Sequence, residues 1–231
     1  MIDFAPWDQM LQTYVKDGQV DYSRWQKESM PALEEWLSKM QAVSLDTLNE
    51  NEGIAFLINL YNALTIQQVL QKYPIDTIRP NVLGIPNWSK FLRFFKTPIY
   101  SLGGQKLSLD NIEHDTLRAR YSESRIHFAL VCASESCPNL RSNAYQPDQL
   151  DTQLQEDAER FINNPKKLRY DAAARTLYCS KIFKWYEEDF VAKAESVTEY
   201  IQTYLKADLP KEIKVEYLPY SWQLNDQRIS S

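Results

Sequence analysis

The chain has 231 residues, 44 % apolar and 25 % charged, the proportions of an ordinary soluble globular protein, which excludes a disordered or fibrous chain. Its length suits one domain with a sizeable core, and its net charge of −5 is spread without a basic stripe or arm, which excludes the electrostatic footprint of a nucleic-acid binder. The most apolar run, residues 54–66, is interrupted by Asn59 and Asn62 and is short for a bilayer, so it suits a buried helix and no transmembrane segment is expected.

At the N-terminus, MIDFAPWDQM has no basic region leading into an apolar one, so no signal peptide is expected; a mature form behind an added methionine would look the same. Trp7, Met10, Leu11 and Tyr14 follow Pro6 at helical spacing, and Asp17-Gly18 then signals a turn. Pro31 opens a second helix, with Leu33, Trp36, Leu37 and Met40 as its buried stripe. After Ser44, Thr47 and Leu48, the run ENEGIAFLINLYNALTIQQVLQKYP carries Ile54, Leu57, Tyr61, Leu64 and Val69 on one side and Phe56, Leu60 and Ala63 on another. A helix apolar on most sides is interior, and Pro74 lies just past its end.

From Tyr73 to Lys96 the periodicity dissolves among Pro80, Gly84, Pro86, Trp88 and the cluster Phe91 to Phe95, which predicts a long ordered excursion. PIYSLGGQKLSL predicts a hairpin around Gly103-Gly104, and Asp110 with Glu113 three residues on predicts a capping box that opens the helix carrying His114. Arg125 to Ala133 is the best strand, apolar on both alternating sets beyond Arg125, and should be central in a sheet. Residues 147–163 predict a helix, KLRYDAAARTLYCS a hairpin, SKIFKWYEEDF and VTEYIQTYLKADLP two more helices, and IKVEYLPY a last strand. The sum is an α+β fold over residues 1–231, a single helix-rich domain with a small, mostly antiparallel sheet.

The stretch HFALVCASESCPNLR holds one of two histidines and two of three cysteines. Four readings compete. Cys132, Cys137 and His127 can be core and loop residues without chemistry, since free cysteine is commonly buried. Cys132, Cys137, His114 and His127 could hold zinc, although the cysteine spacing is wide and no second pair exists. Cys132 and Cys137 could form a disulfide or redox pair, without a CxxC motif and only in an oxidising compartment. Or a thiol, an imidazole and an orienting group could form a nucleophilic site.

For the last reading, Cys137 is the better nucleophile, because it follows a polar loop while Cys132 should point from the strand into packing. The base is His114 or His127, and His127 would stand about 20 Å or more away along an extended strand unless the loop folds back. Asn59 and Asn62, three apart on one helix face, are candidates to orient the imidazole or else internal glue. Arg141 and Lys181 could meet a substrate carboxylate, and Tyr61 is a further candidate for substrate contact. Neither a metal nor a cofactor is expected.

With these residues in view, the chain resembles the family known as domain of unknown function 547, found in bacterial proteins and at the C-termini of longer plant and animal proteins. The resemblance runs from about Asn51 to Asn225, through FLINLYNALTI, SLDNIEH with Arg118, RIHFALVCASESCPNLR with the following AY, SKIFKWYEEDF and YLPYSWQLN. Asn139 stands where a second proline is common. The resemblance implies a periplasmic or secreted location if a signal peptide has been removed, and otherwise a cytoplasmic one. It also sets the Cys and His blocks beside those of papain-like and transglutaminase-like thiol enzymes, and so suggests a core of that kind.

Two functions are expected to compete. One is a thiol-dependent acyl hydrolase or transferase acting on an amide or ester, with a small-molecule, peptide or protein substrate, an attacking Cys137 and a loop N–H as oxyanion donor. The other is a non-catalytic binding domain, in which the polar cluster is structural and Arg141 and the aromatic residues Trp88 to Phe95 contact a partner.

Overall fold

Helix α1 (Ala5–Tyr14) starts on Pro6 and buries Trp7, Met10, Leu11 and Tyr14, the stripe that the spacing predicts. In the computed structural model, which describes residues 2–82 and 85–228 and only the backbone of 81, 82, 85 and 86, α1 leads into the hairpin β1 (Val15–Lys16) and β2 (Gln19–Val20). Asp17 and Gly18 turn it with φ of 52° and 80°, and a Cβ on Gly18 would meet the Asn139 side chain at 2.6 Å.

Helix α2 (Tyr22–Glu28) was not legible in the spacing; Asp21 caps it by accepting from the Arg24 N–H, and Tyr22 and Trp25 face inward. Helix α3 (Met30–Met40) buries the expected Leu33, Trp36, Leu37 and Met40. These helices pack around α4 (Glu50–Leu70), which opens with a capping box between Asn49 and Glu52. From Gly53 to Leu70 every residue of α4 except Gln67 is buried. It is the one helix among the described residues long and apolar enough to cross a membrane, and 94 % of that window lies inside the fold.

The long excursion is partly helical. A short hairpin of β3 (Asn81–Val82) and β4 (Ile85–Pro86) precedes α5 (Trp88–Lys96), capped by the Asn87 side chain; Gly84 lies outside the described residues. The second expected hairpin forms as β5 (Tyr100–Leu102) and β6 (Gln105–Leu107). The next helix is wound with π-type turns over Asn111–Arg118, and its cap differs from the one predicted. Ser108 and Asn111 exchange the reciprocal bonds at its start, while Asp110 is already helical and makes no cap bond. Glu113 is thereby released from capping and turned inward.

The main correction concerns residues 125–133, which form no strand. Ser124–Phe128 is a 3-10 turn, and Ala133 adopts a left-handed φ of 59°. Side chains and scattered bridges satisfy this backbone instead of a ladder. Asn62 donates to the Ala129 carbonyl and accepts from the Val131 N–H, both at 3.0 Å, and Ser134 bridges Leu224 near the C-terminus. The stretch threads between two apolar clusters: Ile126, Ala129 and Leu130 join the large one around α4, and Phe128 joins a smaller one.

The smaller cluster is built from the C-terminal half of α6 (Leu150–Ile162), whose Leu150 and Leu154 join the large one, with strands β7 (Leu168–Asp171) and β8 (Thr176–Cys179), the short helices α7 (Ile182–Trp185) and α8 (Glu187–Val191), and α9 (Val197–Tyr204). Strand β9 (Lys214–Tyr217) completes a three-stranded sheet in which β8, not residues 125–133, is central. The β7–β8 pair is antiparallel and β8–β9 parallel, while the three hairpins are antiparallel. With about 49 % helix and 12 % strand, the architecture is helix-rich α+β, with small sheets.

Candidate functional site: an aromatic cleft over a disulfide

A cleft of about 440 Å³, within the size range of small-ligand sites, opens where α4, α5, the π-helix, residues 127–138, α7 and the C-terminal segment meet. A more voluminous groove of about 930 Å³ runs along the N-terminal side past Phe4, Met40 and Pro147, but contains none of the histidines or cysteines. Chemistry-bearing groups converge in the smaller cleft.

Its wall is a chain of rings. Trp88 meets Phe91 edge-on at 5.8 Å, Phe91 meets Trp222 at 4.6 Å, and Trp222, Tyr220 and Trp185 lie within 4.5–5.9 Å of one another. The amphipathic helix α5 supplies one side and the YSW segment the other. The segment is fixed by the loop beneath it: Glu135 N–H donates to the Gln223 carbonyl at 2.8 Å, and Ser221 N–H to Ser136 Oγ at 2.8 Å.

Cys132 and Cys137 line the floor, joined by a disulfide. The sequence reading made Cys137 an exposed loop thiol and Cys132 an inward strand residue. Cys137 is instead 4 % exposed and Cys132 half-buried. Lys167 holds this loop from below through bonds to the carbonyls of Glu135 and Cys137, and burial lowers its ammonium to about 8. The third cysteine, Cys179, is a buried free thiol that burial pushes up to about 12.

Both histidines line the cleft. Because the chain turns at Phe128 rather than extending, His127 is brought to the same cleft as the two sulfurs. Its ring stacks on Tyr186 at 3.8 Å, and its Nε2 lies 2.6 Å from Asp189 Oδ2. Burial lowers the His127 pKa and outweighs the Asp189 bond that raises it, so the neutral ring donates from Nε2. Burial pulls the Asp189 carboxyl up, but the hydrogen bonds and charges of His127 and Arg118 win and leave it well below the usual range. Arg118 grips both Asp189 oxygens, at 2.7 and 2.8 Å, and its Nη1 donates to His114 Nδ1 at 2.9 Å. His127, Asp189, Arg118 and His114 thus form one series of hydrogen-bond contacts.

The other proposed site residues fall apart into two groups. Tyr61 lines the cleft. Asn59 and Asn62 do not touch either imidazole: Asn59 binds Trp7 Nε1 and both backbone groups of Tyr145, and Asn62 binds Ala129 and Val131, so both are internal glue. The carboxylate that meets the His127 ring is Asp189, which nothing in its spacing within EEDF singled out. Arg141 pairs with Asp157 and Glu156 of α6, away from the cleft, and Lys181 stands at the start of α7 without lining it. Glu113 was read as a cap and proves to be a cleft carboxylate, 7 % exposed, accepting from the Tyr186 hydroxyl at 2.5 Å. Among the described residues no group of three His, Cys, Asp or Glu side chains is placed to hold a metal.

Fold and site thus define a helix-rich α+β protein with an aromatic cleft above a cystine and a histidine–carboxylate network. A family model described as "Protein of unknown function, DUF547" matches residues 45–162, and the chain belongs to that family. The match includes Glu113, both histidines and both bridged cysteines, and stops short of Asp189 and the C-terminal rings, which the resemblance had included. No curated protein and no solved structure matches the chain significantly.

Proposed function

We propose that the protein is a binding domain whose ligand lies in the aromatic cleft. The observation that carries this reading is that rings from α5, α7 and the C-terminal segment wall the cleft while the two sulfurs on its floor, Cys132 and Cys137, are bonded to each other. No hydrogen bond joins either sulfur to an imidazole among the described residues; the Tyr220 hydroxyl is the side chain near both, at 3.4 and 3.5 Å. A cystine also fits an oxidising compartment, which favours a periplasmic or secreted location. The test is titration of the air-oxidised protein with the neutral, apolar dye N-phenyl-1-naphthylamine. One saturable site per chain, weakened by Trp185→Ala and retained by the Cys132→Ser/Cys137→Ser double variant, is expected; dye uptake indifferent to Trp185 would count against it.

One observation favours a second reading, the thiol-dependent acyl hydrolase or transferase. His127, oriented by Asp189, lines the same cleft as Cys137, and this is the base-and-orienter part of a catalytic triad. In that reading a dithiol first reduces the bridge and is itself oxidised to a disulfide. Cys137 passes its proton to His127 and attacks the carbonyl as a thiolate, the amine or alcohol leaves with that proton, and water or a second acceptor then takes the acyl group from the thioester. A papain-like or transglutaminase-like core would suit it. A burst from p-nitrophenyl acetate that requires reduction and vanishes in both Cys137→Ser and His127→Gln would establish it over the binding domain.

A further inference from the structure

We infer that the ligand of this cleft carries an organic ammonium group, with Glu113 as its counter-charge and the rings of Trp185, Tyr186 and Tyr220 as its walls. This rests on the binding reading above. Buried carboxylates are ordinarily paired with a cation, because an isolated charge is costly to desolvate. Glu113 is buried, yet its bonded partners are the neutral hydroxyls of Tyr186 and Tyr61, and among the described residues it makes no ion pair. The guanidinium of Arg118 is already committed, through Nε and Nη2 to Asp189 and through Nη1 to His114.

Among the described residues the lining has no lysine or arginine, while it has two carboxylates, Asp110 and Glu113. Asp110, nearer the rim, already has Lys96 at 3.8 Å, so among the described residues the carboxylate without an ion pair is the deeper one. An anionic ligand would meet that charge. A cation would meet it together with the negative faces of aromatic rings, the arrangement by which proteins hold alkylated amines. The same wall shows the preference from outside: Arg79 sits over the rings of Trp88 and Trp222, at 5.3 and 5.5 Å. Trp185, 47 % exposed, leaves an open ring at the lip for an entering group.

The experiment compares three probes of one shape on the oxidised full chain: choline, its neutral carbon isostere 3,3-dimethylbutan-1-ol, and the anion 3,3-dimethylbutanoate, each followed by tryptophan fluorescence and calorimetry. Choline should saturate one site and bind at least about tenfold more tightly than the neutral isostere, the anion more weakly still. Glu113→Gln, checked for an unchanged melting transition, should erase that preference without abolishing binding of the isostere, and Trp185→Ala should weaken both. Should the glutamine variant not fold, the isostere ratio and Trp185→Ala decide. Equal affinity for choline and isostere, preference for the anion, or a ratio unmoved by Glu113→Gln overturns the ammonium assignment and leaves the binding cleft standing. No saturable binding of any probe or of the naphthylamine dye overturns both.

Discussion

Helix α4 and the stretch from Ser124 to Tyr145 both send apolar side chains into the core, but the fold treats them differently. Each interior turn of α4 satisfies its own backbone, so its apolar faces are free to pack on every side. The later stretch has no ladder and borrows partners from elsewhere: Asn62 for Ala129 and Val131, Asn59 for Tyr145, and the C-terminal segment for Ala133 and Glu135. A buried run therefore says that a segment is inside, and its hydrogen-bond donors and acceptors say what shape it takes there. The irregular shape is also what serves the site, since it bends His127 and the two cysteines into one cleft.

If the later stretch depends on borrowed partners, removing them should cost more than cutting an outward side chain from α4. The largest effect is expected at Asp157, which holds Arg141 at 3.0 Å and the Tyr145 hydroxyl at 2.6 Å from α6. Asp157→Ala leaves a mostly buried guanidinium and a buried phenol without it, and should lower the unfolding free energy by about 3–5 kcal/mol in urea denaturation. A loss below about 1 kcal/mol would mean that Glu156 alone suffices for Arg141.

Asn62→Ala comes next, at about 1–3 kcal/mol, because two buried backbone groups lose their partner together. The same denaturation series decides it. An unchanged midpoint would show that the stretch finds other partners and that the contrast with α4 is false.

The pH dependence of stability sharpens the comparison at His127. Its folded pKa is lowered, so the unfolded chain takes up a proton near pH 6.5 that the folded chain resists. Stability from this group is full above that pH and falls as pH drops through it. Asp189, held below its ordinary value, adds a second loss only as pH falls below about 4. The unfolding free energy should therefore decline between pH 7 and 5, and His127→Gln should flatten that limb while leaving the acid limb. A rise toward pH 5 would mean that the folded ring is protonated against Asp189.

The smallest effect is the control within α4. Gln67, the one residue from Gly53 to Leu70 not buried, should tolerate alanine within about 0.5 kcal/mol by the same assay. A larger loss would mean that α4, too, leans on a side chain for its place.

Apolar spacing and local turn or cap residues together determined α1, α3 and α4, the hairpin at Gly103-Gly104, α6, and the β7–β8 hairpin, whereas the one helix expected over SKIFKWYEEDF is broken at Tyr186 into α7 and α8. The same reasoning failed at residues 125–133, where an apolar run was read by its alternation although its backbone partners come from α4 and the far C-terminus. It also assigned Glu113 to a cap that Ser108 makes, and split the site from its orienting group. His127 and Asp189 lie 62 residues apart, and Tyr186 and Glu113 lie 73 apart. The residue types needed for a site were present in the sequence; which of them share a cleft was decided by tertiary packing, because contacts between distant segments leave no periodic mark on either one.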